Sequence, residues 1–65
     1  MLHVSELLLQ YHDLSSFEEL MGVVREKART ERFFRMDVKP PFPDTPENWE
    51  DRLESAFSGA LDPMN

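Results

Sequence analysis

Val4, Leu7, Leu8 and Tyr11 recur at i, i+3, i+4 and i+7, the spacing of one helical face. The pattern predicts a first helix over 4–13, with Leu14 extending the stripe approximately. Leu2 and Leu9 fall on the other side, roughly 140–160° from Val4 at ~100° per residue. A helix that is apolar on two faces is ordinarily buried on both. A short chain has little material to cover the second face, so Leu2 and Leu9 are the expected contacts of a homodimer interface.

Asp13-Leu14-Ser15-Ser16 interrupts the stripe. Ser15 with Glu18, or Ser16 with Glu19, has the spacing of a capping box, in which a serine oxygen takes a free helical amide and a glutamate reaches back. A second helix is predicted over 16–31, its stripe being Phe17, Leu20, Met21, Val24 and Ala28. Continuing that stripe would bury Glu31, Arg32 and Arg35, so its packing should stop near Ala28. Phe34, Met36 and Val38 then alternate with Arg35, Asp37 and Lys39, which is strand periodicity. One short strand needs a neighbour. The expected neighbour is a twin from another subunit or a partner's sheet edge; the alternative is an extended arm leading into the prolines.

Four of the five prolines lie between residues 40 and 46 and divide the chain. We read 36–45 as an extended linker. Thr45 suits an N-cap, Pro46 the first helical position and Glu47 the positive helix end. These predict a third helix over 46–58, with Trp49, Leu53, Ala56, Phe57 and Ala60 on one stripe. Gly59 is the expected C-cap, Pro63 ends any continuation, and the tail from Asp62 to Asn65 is expected to fray. The fold class is all-α: one small domain of about three helices over 1–65, the third after a proline-rich linker, dimeric, with a short intersubunit strand as an option.

Size sharpens the dimer expectation. A domain of 65 residues without cysteine has no disulfide to staple it, and such domains often rely on oligomerisation or a partner. Apolar residues make up 40% of the chain and seven residues are aromatic, enough for a folded core rather than disorder. No apolar run approaches the ~20 residues that span a bilayer. Leu7-Leu8-Leu9 lacks the basic flank of a signal peptide, so the expected compartment is the cytoplasm.

The net charge is −6 and unevenly spread. Residues 1–24 carry −4; residues 25–39 carry six bases against three acids; residues 44–65 carry −5. Overall acidity argues against a general nucleic-acid binder. The basic middle is expected to pair with its acidic flanks, within the fold or across a dimer.

Catalytic chemistry finds little support. Two glycines are too few for a phosphate-cradling loop. His3 and His12 are nine residues apart and would project to opposite faces of a helix, a poor metal pair. His12, Asp13, Ser15 and Ser16 have the residue types of a hydrolytic triad, but neighbours along a chain do not face one another, and capping explains the serines. Glu47, Glu50, Asp51 and Glu54 read as a solvated acidic helix. We expect no enzyme, no cofactor and no metal.

The sharper signal is basic. Arg25, Arg29 and Arg32 fall at i, i+4 and i+7, and like charges at that spacing do not help a helix. Phe33, Phe34 and Arg35 follow directly. Trp49, Leu53 and Phe57 make the second candidate surface: aromatics at helical spacing usually form core, yet the same spacing serves helix-in-groove recognition. The expected function is a non-catalytic protein-interaction module, a small inhibitor, adaptor or antitoxin-like regulator of bacterial or phage type. Its partner is another protein, with contacts from Arg25, Arg29, Arg32, Phe33, Phe34, Arg35, Trp49, Leu53 and Phe57. The alternatives are a nucleic-acid-binding dimer using the basic 25–39 segment, and an acidic nucleic-acid mimic using Asp44 to Asp62.

Overall fold

The computed structural model describes residues 1–61, and side chains through residue 59. The expectations for Ala60, Pro63 and the tail fall outside the described side chains and residues. Among the described residues the chain forms three helices and one two-stranded sheet. In chain order they are β1 (Leu2–His3), α1 (Val4–Gln10), α2 (Phe17–Lys27), β2 (Phe34–Arg35) and α3 (Trp49–Leu61). The helical class and the three helices are as expected; their ends and the sheet are not.

β1 and β2 pair in parallel, with Leu2 opposite Phe34 and His3 opposite Arg35. The Leu2 N–H donates to the Phe33 carbonyl at 2.9 Å. The strand at Phe34 therefore finds its neighbour in the same chain, without borrowing one from another subunit. Leu2 precedes the first helix, so helical phase does not govern it. It is 6% exposed and sits in this chain's own core, where it is unavailable as a dimer contact. Leu9, by contrast, is 80% exposed.

α1 is shorter than its apolar stripe. Tyr11 leaves helical geometry at φ −111°, ψ 59°, and a turn over Tyr11, His12 and Asp13 brings the chain back. α2 starts where the serines predict. Ser16 is the N-cap, and its Oγ accepts the Glu19 N–H at 3.1 Å. The return contact lands one residue early: the Ser15 N–H and hydroxyl donate to Glu19 Oε1 at 2.8 and 3.0 Å. The helix ends at Lys27 instead of 31. The Lys27 carbonyl takes the N–H groups of Thr30 and Glu31 at 3.1 and 3.0 Å, which closes the last turn before the charged stripe would turn inward.

α3 starts at Trp49, beyond Thr45. The Thr45 hydroxyl donates to the Pro40 carbonyl at 3.1 Å, and its N–H to the Phe42 carbonyl at 3.1 Å. Phe42-Pro43-Asp44-Thr45 is thus a β-turn with proline at its second position, where a fixed φ favours it. The first helical bond of α3 runs from the Arg52 N–H to the Asn48 carbonyl at 3.1 Å. Gly59 lies within the helix rather than capping it.

The core joins every element. β1 and α1 supply Leu2, Val4 and Leu7; α2 supplies Phe17, Leu20 and Val24, with Ala28 at its C-cap; α3 supplies Leu53, Ala56 and Phe57. Met36 and Phe42 pack against the same cluster, and Pro40 is buried. Met36, Pro40 and Phe42 thereby tie the segment between β2 and α3 to the core.

Candidate interaction surface

The segment over 36–45 delivers two carboxylates to two helix starts. Asp37 Oδ1 accepts the Ser5 N–H at 3.1 Å, and its Oδ2 takes the Ser5 hydroxyl. Ser5 is in the first turn of α1, whose N-cap residue His3 makes no side-chain cap. Asp44 Oδ1 accepts the Phe17 N–H at 2.7 Å, the first amide of α2. Each carboxylate meets a free amide at the positive end of a helix, where anions are favoured. The Ser5 hydroxyl and amide hold Asp37 below the usual carboxylate range. The Ser15 amide and hydroxyl do the same for Glu19, against a weaker opposing effect of burial and the Asp44 charge.

These clamps fix the ends of the chain segment that carries the basic residues. Arg25, Arg29, Arg32 and Arg35 are all exposed. Among the described residues none of them lies within 4.0 Å of a carboxylate. Among the described residues, pairing of the basic middle with the acidic flanks is therefore not formed at these arginines. Glu31 instead meets the N-terminal amine at 3.7 Å, and Lys27 lies over the Tyr11 ring at 5.6 Å. Arg25 and Lys27 fall in the last turn of α2, where positive charge complements the helix dipole. Arg29 is in the turn that follows and Arg32 in a bend beyond it, so the three arginines do not share one continuous helical face.

The two adjacent phenylalanines have opposite fates. Phe33 is 64% exposed. Phe34 turns inward and stacks on Phe57, with ring centroids 5.2 Å apart and planes 17° from parallel. Leu53 and Phe57 are buried, and Trp49 is half-buried against the same cluster. Of the second candidate surface, then, Leu53 and Phe57 are core, and Phe34 joins them. Arg25, Arg29, Arg32, Phe33 and Arg35 are exposed along one stretch of chain, followed by Val38 and Lys39, which are also exposed.

Ser15 and Ser16 are occupied in capping Glu19 and α2. The His3 ring meets Glu6 at 3.2 Å, within one turn of α1. Among the described residues no three His, Cys, Asp or Glu groups gather as a metal site would require. Asp51, Glu54, Ser55 and Ser58 line one shallow depression along α3. No described helix is long and apolar enough to cross a membrane.

Sequence reasoning did not find Asp37 and Asp44. Pro43-Asp44 is a turn signal, but no local pattern tells which helix end a turn carboxylate will reach. Comparison with protein-family models, curated proteins and solved structures gives no match for this chain.

Proposed function

We propose that this chain is a non-catalytic protein-interaction module, a small inhibitor, adaptor or antitoxin-like regulator. It engages another protein through the cationic, aromatic surface of Arg25, Arg29, Arg32, Phe33 and Arg35. One observation carries the reading: these four arginines are exposed with no carboxylate in ion-pair range among the described residues, on a stretch of chain that also holds an exposed phenylalanine. Arginine and aromatic side chains are the residue types that concentrate binding energy at interfaces. Four exposed guanidinium groups on one stretch of chain favour an acidic partner surface. The chain's own acidity, −6 overall, opposes a nucleic-acid backbone at long range. Self-association is left with Leu9, because Leu2 and the Phe34 strand are already satisfied within one chain.

The test is capture from a lysate of the producing organism, with and without nuclease. Wild type is compared with the Arg25→Glu, Arg29→Glu, Arg32→Glu triple variant. The expected result is a nuclease-resistant protein partner that the wild type retains and the triple variant loses, at an unchanged circular dichroism melt. Capture that disappears with nuclease, and binding of oligonucleotides that weakens steeply with salt, would replace the protein partner by nucleic acid.

A further inference from the structure

The sheet ends at β2. Its order is β1–β2 and no third strand is present among the described residues. The pairing register sets which backbone groups of β2 remain. Leu2 is opposite Phe34, and the Leu2 N–H reaches the Phe33 carbonyl. In a parallel ladder a residue bonds to the neighbours on either side of its opposite number. The N–H and C=O of Phe34 itself therefore point away from β1, toward the outer edge. Among the described residues neither group takes part in a turn, loop or cap hydrogen bond.

That edge is anchored to the core. The Phe34 ring is stacked on Phe57, and Met36 packs against the core. The alternate residues Phe33 and Arg35 are exposed, with Arg32 just upstream and Lys39 downstream. Asp37, the acidic residue of this run, is spent on Ser5. We infer that the outer edge of β2 accepts an extended acidic segment of a partner protein as an added strand. Phe34 would supply the backbone bonds, Arg35 and Arg32 would meet carboxylates, and Phe33 would cover an apolar side chain. Strand addition of this kind takes affinity from the main chain and selectivity from alternate side chains.

The charge decides the occupant. Pairing two copies of β2 edge to edge would bring the arginines of both chains together, and like charges across a ladder are unfavourable. Exposed charge on an edge strand is a usual barrier to self-pairing. The same charge favours an acidic strand. This inference rests on the interaction reading above and narrows it to a mode of binding and a partner chemistry.

The probe is a capped peptide of about eight residues, with Thr at every second position and Glu or Val between, long enough to cover a short edge strand. It is titrated into the isotope-labelled full chain by NMR. Controls are the same peptide with Lys for Glu, and two N-methylated forms, one for each set of alternate amides. The expected result is shifts centred on residues 33–37, with exchange of the Phe34 amide slowed at least about tenfold. The Lys peptide should not bind, and one N-methylated form should bind while the other does not. Arg35→Glu should weaken the acidic peptide by roughly tenfold. No shift, equal binding by both N-methylated forms, or shifts confined to residues 25–32 would overturn strand addition. The capture experiment with the triple arginine variant would still stand in those cases. Tighter binding of a short oligothymidine to the same amides would overturn both.

Discussion

Replacing Asp44 by alanine removes one hydrogen bond that spans 27 residues of chain and joins the proline turn to the start of α2. The Phe17 amide would lose a charged acceptor at 2.7 Å, at a part-buried site. A lost cap costs about 1 kcal/mol, and a hydrogen bond to a charged group contributes about 1.5–3 kcal/mol. Ser16 still serves the Glu19 amide, so we place Asp44→Ala near the lower end, at about 1.5 kcal/mol. A domain of this size holds only ~3–5 kcal/mol in total. The change should lower the melting temperature by about 6–12 °C, taking roughly 4–8 °C per kcal/mol for a small domain. Asp44→Asn keeps an acceptor and loses the charge at the helix end, so it should cost only about 0.3–1 kcal/mol. Thermal and urea melts followed by circular dichroism measure all three proteins. If Asp44→Ala melts with the wild type, or Asp44→Asn is as damaging as Asp44→Ala, the turn is not a charged clamp on α2.

Acid should weaken the fold in a defined window. Asp37 and Glu19 lie below their ordinary values of 3.8 and 4.5 in the folded chain. The unfolded chain then binds more protons in that range, so stability rises with pH. Melting temperature should be flat above about pH 5 and fall progressively once the pH drops through 4.5 and below; Asp37→Asn with Glu19→Gln should lower the plateau and flatten the fall, and an unchanged acid profile would dismiss both contacts. Phe34→Ala should cost about 2–3 kcal/mol in urea through loss of the Phe57 stack, whereas Phe33→Ala should stay within about 0.5 kcal/mol of wild type. Equal effects would contradict their opposite burial. Leu9→Glu should also melt within about 0.5 kcal/mol of wild type. Sedimentation equilibrium then tests its exposed face: a mass that drops to one chain identifies Leu9 as a self-association contact, and an unchanged mass removes it from that role.

Local spacing was enough for the helices. Ser16 and Glu19 mark the start of α2 because capping acts over three residues, and Phe17, Leu20, Val24 and Ala28 mark its buried face because helical period is a property of neighbours. The same holds for Leu53, Ala56 and Phe57 on α3, and for the point near Ala28 where packing stops. What depended on distant partners was not legible. Leu2 belongs to a strand of two residues, too short to show any period, and its neighbour is Phe34. Asp37 reaches Ser5 across 32 positions and Asp44 reaches Phe17 across 27, and a carboxylate in a loop carries no mark of the helix it will cap. Thr45 had every local feature of an N-cap, but folding gave its hydroxyl to the Pro40 carbonyl, and α3 starts at Trp49. The basic residues were visible as a run; that Arg25, Arg29, Arg32 and Arg35 stay exposed and free of carboxylate pairs among the described residues is decided only where the elements pack. Capping and periodicity act within one turn of chain, whereas pairing of strands, carboxylates and charges requires the three-dimensional arrangement that brings them together.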